Sequence, residues 1–306
     1  MTSPLESAPI PQPRYLPYLS GDFRLAIGLV ALDPKLWIEP DDQFAPELRE
    51  KERLLAERHG EVVATRPGSQ PAQREVLDLL VAHMVGHYPD LLHDDGQTLS
   101  IPPTGAAYRR DDWHDAAIDL AGRLVQEDFC LMAPGPGGYT LEAASLCFPS
   151  RWRLCEKLGQ PMSIIHDPVP GFGDKLARPV DRFFDHLGVD RPVWRVNWSL
   201  NDDPTLFQPV RRQDADTDEA ITVENAGDRL FIRCERQTLR RLPECGWILF
   251  TIKTYVDPIA SLAGRPDAAA GLASAVRQLP EGTRRYKNVA PYQEALLDYL
   301  DGCAGL

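Results

Sequence analysis

The sequence predicts an α+β fold in which an antiparallel sheet with a helical cover is flanked on both sides by helical extensions. Three patterns carry that expectation. Apolar residues recur with a helical period in the first third, alternate with period two in several segments between residues 127 and 257, and return to helical spacing after residue 260. With 306 residues, 43% of them hydrophobic and 25% charged, the chain can bury a core without disulfides or a structural metal.

The opening residues 1–13 are rich in Pro and Ser and lack a basic n-region or an apolar h-region, so no secretory signal is expected. Residues 23–32 read as a strand. Pro46 opens a charged helix, ELREKERLLAERHGEVVA, because a first helical turn tolerates proline. Ser69 and Pro71 introduce a second helix whose apolar stripe is Val76, Leu79, Leu80, His83 and Met84. Residues 93–110 read as loop, and a third helix over 113–126 turns Ile118, Leu120, Leu124 and Val125 inward. The first third is therefore expected to be mainly helical.

From Glu127 the texture changes. Residues 128–132 and 139–148 read as strands around the turn APGPGG, whose prolines and glycines are turn chemistry. Two helical pieces follow, over 151–158 and 174–187, the second with an apolar face of Leu176, Val180, Phe183, Phe184 and Leu187 and a first turn bent by Pro179. Three more strands are expected at 192–200, 229–238 and 246–256, with an exposed acidic loop over 213–227 and helices from 261 to the end. Two strands, a helical cover and a three-strand meander make the order of a PAS-like domain, in which ligands sit between cover and sheet. The expected division is a helical N-terminal extension over 1–126, a PAS-like core over 127–257 and a C-terminal helical extension over 258–306.

Charge and motifs exclude several functions. A formal net charge of -12 repels phosphate backbones and anionic lipid, so neither a nucleic acid nor a membrane is expected as partner. No apolar run is long enough to span a bilayer. The six cysteines, at 130, 147, 155, 234, 245 and 303, form no C-x-x-C pair and match neither zinc nor Fe–S spacing, which suits free thiols in a reducing cytoplasm. The GPGG at 135–138 lacks the frame of a phosphate cradle, and no G-x-S-x-G elbow is present.

Two features carry chemistry. His166 lies in MSIIHDPVPG, where Pro168, Pro170 and Gly171 fix the backbone immediately after it and hold the imidazole at a set angle. Such preorganisation suits an axial iron ligand, although a corner histidine that only hydrogen-bonds is the plain alternative. The strand WRVNWSL puts Arg195, Asn197 and Ser199 on one face, and FIRCERQ puts Arg233, Glu235 and Gln237 on one face. If the two strands are neighbours, these rows form one polar cluster; otherwise they are solvated faces of a half-buried sheet. His83 and His87 share a helix face but find no third ligand, so His83 is expected to pack and His87 to end its helix.

Several long strings resemble the alpha subunit of the haem-dependent oxidative N-demethylase (dimethylamine monooxygenase) family. They are RYLPY at 14–18, LVQEDFCLM at 124–132, ASLCFPSRWRLCEKLGQPMSIIHDPVPGF at 144–172, LARPVDRFF at 176–184, WRVNWSL at 194–200, LFIRCERQTLRRLP at 230–243 and LFTIKTY at 249–255. The resemblance implies a PAS-like domain that binds haem b and O2 beside a small secondary amine, and yields the primary amine and formaldehyde. It implies electrons from NADPH through a separate flavin and iron–sulfur reductase subunit, which fits a chain with no dinucleotide fingerprint. Carried onto this sequence, it makes His166 the proximal haem ligand, with Pro168 and Phe183 also binding the cofactor. Arg195, Asn197, Arg233, Glu235 and Gln237 become candidates for the distal pocket, Glu235 as acceptor for the substrate ammonium. Trp247, where the family has a smaller residue, is expected to alter which amine fits if it lines the pocket. A PAS-like haem sensor or ligand-binding protein without turnover is the alternative from a different class.

Overall fold

The fold is that of a computed structural model, which describes residues 12–23, 27–170, 173, 177–210, 220–287 and 289–305. In chain order, β1 (Val30–Ala31) precedes α1 (Phe44–Glu57), α2 (His59–Val62), β2 (Val63–Thr65) and α3 (Gln70–His87). Then come β3 (His93–Asp94), β4 (Thr98–Ile101), β5 (Ala106–Arg109) and α4 (Ala117–Leu124). The sheet-forming middle holds β6 (Asp128–Gly135), β7 (Gly138–Ser145), α5 (Leu154–Lys157), α6 (Met162–Ile165), the helix Ala177–His186 and β8 (Val193–Asn201). A short helix, Ala226–Arg229, leads into β9 (Phe231–Arg241) and β10 (Ile248–Pro258). The helices Pro266–Arg277, Glu281–Tyr286 and Gln293–Ala304 follow.

The result is α+β, as expected. Seven antiparallel strands form one sheet in the order β1-β8-β9-β10-β6-β7-β2. Its two faces follow from alternation. On one face Phe129, Leu131 and Leu249 pack against α3 and α4, where Val76, Leu80, Met84, Ile118, Leu120 and Leu124 are fully buried. Helix and sheet approach closely there: a Cβ on Gly122 of α4 would stand 2.0 Å from Ser145 Oγ of β7. On the other face Cys130, Met132, Leu239 and Ile248 pack against Leu154, Phe184 and Leu187 of the cover.

Several expectations are corrected. The segment 93–110 is not loop: β3, β4 and β5 make a separate three-stranded antiparallel sheet, with Leu99 and Ile101 buried. Strands of two to four residues give too little alternation to read. The charged helix breaks at Arg58, and its expected tail becomes β2, drawn into the sheet by pairing with β7. Of the strand expected over 23–32, only Val30–Ala31 pairs, while 24–26 lie outside the described residues, as do Leu176 and residues 213–219 of the acidic loop. The end of that loop is exposed only in part: Ala220 and residues 222–224 face solvent. Ile221, Ala226 and Gly227 are covered, and a Cβ on Gly227 would meet Tyr299 Oη at 2.5 Å.

One buried ion pair fixes the corner that leads into the cover. Asp128 accepts the backbone N–H of Cys147 at 2.9 Å and of Phe148 at 2.8 Å. Lys51 stands 3.3 Å from Asp128 and donates to the carbonyls of Gly122 and Val125, which end α4 without a helical partner. Both side chains are essentially inaccessible, so removing one partner strands the other. Lys51→Met is expected to lower stability by about 3–5 kcal/mol. An unchanged urea midpoint in that variant would show that the pair does not hold this corner.

Candidate functional site

A cavity of about 1060 Å³ opens between the cover and the second face of the sheet. The parity of the strands decides what enters it. Cys130 and Met132 of β6, Phe250 and Ile252 of β10, and Glu235, Gln237 and Leu239 of β9 all point the same way. Arg195 and Asn197 of β8 continue that face. The opposite wall comes from the cover and supplies Met162, His166, Pro168, Val180 and Phe183.

The two polar rows lie side by side. β8 and β9 pair antiparallel with Arg195 opposite Gln237, Asn197 opposite Glu235 and Ser199 opposite Arg233. They are not a solvated outer face: Arg233 is 0% and Gln237 6% exposed. The Gln237 side chain joins the rows, its amide oxygen accepting from Arg195 Nε at 2.8 Å and its nitrogen donating to Glu235 at 2.9 Å. Arg195 also donates to the Ile27 carbonyl at 2.9 Å. Arg233 stands behind the cavity wall, 3.9 Å from the Glu235 carboxylate, and donates to the carbonyls of Phe148 at 2.7 Å and Leu206 at 3.2 Å. Burial lowers the pKa of both guanidinium groups, with Glu235 pulling the other way.

Among the described residues lining the cavity, His166 is the only histidine. It ends α6, and its Nδ1 lies 3.1 Å from the Met162 carbonyl one turn back. A carbonyl only accepts, so the proton sits on Nδ1 and the Nε2 lone pair is the one a metal takes. Burial pulls this imidazole down to about 4, so it is neutral at pH 7. Cys130 also lines the cavity, but burial and then Asp128 push its thiol up to about 12, which disfavours a thiolate ligand. No group of three or more His, Cys, Asp or Glu side chains gathers as a metal cage among the described residues. A cofactor that brings its own equatorial ligands and needs one axial imidazole fits this donor set better than a bare ion.

Of the residues expected from sequence, His166, Pro168, Phe183, Arg195, Asn197, Glu235 and Gln237 line one cavity, and Arg233 supports it from behind. Trp247 does not line it. This corrects the expectation for that residue: it packs against the helical core on the far face of the sheet. His83 packs as expected, its ring 5.3 Å from Trp37, and His87 ends α3. Sequence reasoning missed Arg151, Lys157 and Lys287, all of which line the cavity. Arg151 carries one signal visible only in the structure, a left-handed φ of 61° on a non-glycine residue.

A model of the family described as haem-dependent oxidative N-demethylase, alpha subunit-like, matches residues 28–297. The match spans most of the chain, and the chain belongs to that family.

The Gln237 bridge has a measurable consequence. Gln237→Leu leaves Arg195 Nε and a Glu235 oxygen without the partner each has now, and is expected to cost about 1–3 kcal/mol of stability. A stability equal to wild type in urea denaturation would mean that water replaces the amide at no cost.

Proposed function

We propose, on the premise of that membership, that this chain is the haem-binding oxygenase subunit of an oxidative N-demethylase acting on a small secondary amine such as dimethylamine. The observation that carries the reading is the cavity-lining histidine His166, set in the wall opposite a polar strand face of Arg195, Asn197, Glu235 and Gln237. The core is read as PAS-like, since two strands, a helical cover and a three-strand meander follow one another and the last strand, β10, closes against the first, β6.

The lining suits a haem b. The cavity sits at the upper end of the ~300–1,000 Å³ typical of ligand pockets. Met132, Phe183, Leu239, Phe250 and Ile252 would hold a flat macrocycle by apolar contact, and His166 would give its iron a nitrogen ligand. Arg151, Arg153 and Lys157, on the segment just before His166, offer cations to its carboxylates. A haem held there would supply O2 binding and one-electron chemistry. Its electrons would come from NADPH through a separate flavin and iron–sulfur reductase, because this sequence offers no dinucleotide frame. The overall balance is secondary amine, O2, NADPH and one proton giving primary amine, formaldehyde, water and NADP+.

The chain's own part in this reaction is binding, orientation and proton placement. Glu235 would accept a hydrogen bond from the substrate ammonium. Arg195 and Asn197 would aim donors at the oxygen substrate, where negative charge develops. Gln237 would keep Arg195 and Glu235 apart and in register, and the apolar walls would exclude water. The free thiols suit a reducing cytoplasm.

Titration of the purified protein with haem tests the reading. A Soret band that shifts on adding dimethylamine is expected, and His166→Ala is expected to abolish stable haem binding while circular dichroism stays that of the wild type. A normal band in the alanine variant would exclude His166 as the ligand. A band indifferent to every small secondary amine would favour a sensor without turnover.

A further inference from the structure

Lys287 lines the cavity, yet nothing in the proposed function uses it. It follows the helix Glu281–Tyr286 and is 8% exposed. The sheet edge explains its position. β1 pairs with β8 at Val193 and Trp194, and among the described residues no strand lies beside the rest of that edge. The C-terminal segment covers carbonyls there: Lys287 Nζ donates to the Trp198 carbonyl, and Tyr292 Oη donates to the Leu200 carbonyl at 3.1 Å. The Tyr292 contact shows that capping such a carbonyl needs no charge. Lys287 brings one nonetheless, with Nζ 4.6 Å over the Trp198 ring and two further protons to donate.

Among the described residues around Glu235, cations outnumber carboxylates. Arg195, Arg233 and Lys287 surround Glu235, which is 3.9 Å from Arg233 Nε. Glu235 attracts both Arg195 and Lys287, and of the described side chains that line the cavity five are Lys or Arg (Arg151, Arg153, Lys157, Arg195 and Lys287) against three carboxylates (Asp22, Glu156 and Glu235). Burial pulls Lys287 down to about 8 against that attraction, which leaves it mostly protonated at pH 7. The excess is therefore positive, in a chain whose net charge is -12. Buried charge needs a partner, and a bare alkylammonium entering here would meet more like than opposite charge. The carboxylates of a haem have other cations, since Arg151, Arg153 and Lys157 line the cavity and Lys157 Nζ is anchored 2.8 Å from the Ile165 carbonyl, next to His166.

We propose that the amine this chain takes also carries an acid group, so that Lys287 receives its carboxylate while Glu235 receives its ammonium. The substrate class is then an N-methylated amino acid rather than a simple dialkylamine. This rests on reading the cavity as an N-demethylase site, and it names the part of the substrate that the reading leaves open. Arg233, committed to backbone carbonyls, stands 3.9 Å from Glu235 and leaves its carboxylate facing the cavity.

The experiment titrates the haem-loaded protein with N-methylglycine and, separately, with dimethylamine, following the Soret band. N-methylglycine is expected to bind at least tenfold more tightly. Lys287→Gln keeps a donor for the Trp198 carbonyl and removes the charge. It is expected to weaken N-methylglycine by roughly 10- to 100-fold, the scale of a charge-assisted hydrogen bond, without weakening dimethylamine. Tighter binding of dimethylamine by the wild type overturns the proposal and leaves the N-demethylase reading standing. Equal loss of both amines in Lys287→Gln also overturns it, because the lysine is then structural. Loss of haem from that variant with the amine preference intact assigns the cation to the cofactor and overturns it too. If no amine moves the band of the wild type, the N-demethylase reading falls and takes this proposal with it.

Discussion

The antiparallel register of β8 on β9 sets what the cavity can do. Opposing Asn197 to Glu235 brings two polar rows onto the face that the cover encloses. Because strand side chains alternate, a slip of one residue would turn Trp194, Val196 and Trp198 toward the cover and remove the charges from it. The far face guards against that slip. Arg236, which alternates with Glu235 and Gln237, is buried there with its Nε 2.9 Å from Glu39, and its guanidinium lies 5.4 Å from the Trp194 ring centre. Both faces of β9 thus carry buried arginines with specific partners, and only one register satisfies both.

The two faces handle charge differently. On the helix-packed side three buried cations each face an acid: Lys51 with Asp128, Lys253 with Asp41 at 2.8 Å, and Arg236 with Glu39, which Arg14 also reaches. Backbone carbonyls and Gln126 complete these shells, the pattern of a satisfied structural network. On the cavity side, among the described residues, Glu235 faces Arg195, Lys287 and Arg233 together. A protein that pairs its buried charges on one face and leaves cations in excess on the other has kept the second face for a ligand that brings the missing negative charge.

Much of this was legible in the sequence. The alternation in WRVNWSL and FIRCERQ gave the polar rows, and the Pro/Gly corner after His166 singled out that histidine. The resemblance to the N-demethylase strings gave the cofactor. Other features were not legible because tertiary pairing decides them. β2 looks like the tail of a helix until β7 pairs with it, and β3 to β5 are too short to show a period. Lys287 sits in RRYKN, which reads as a solvated helix end, and it is buried only because the uncovered edge of β8 needs donors. Trp247 could have been placed from parity: with Phe250 and Ile252 facing the cavity, the odd positions of that strand face the helices.

The central claim is that the carboxylate at the middle of this strand face holds the amine beside a haem. The direct measurement is an amine titration of haem-loaded Glu235→Gln, which keeps the side chain's shape and removes its charge. The account predicts full haem occupancy with the amine-induced Soret shift moved to roughly 10- to 100-fold higher concentration. A shift at the wild-type concentration would contradict it and leave Glu235 as a partner for the surrounding arginines alone.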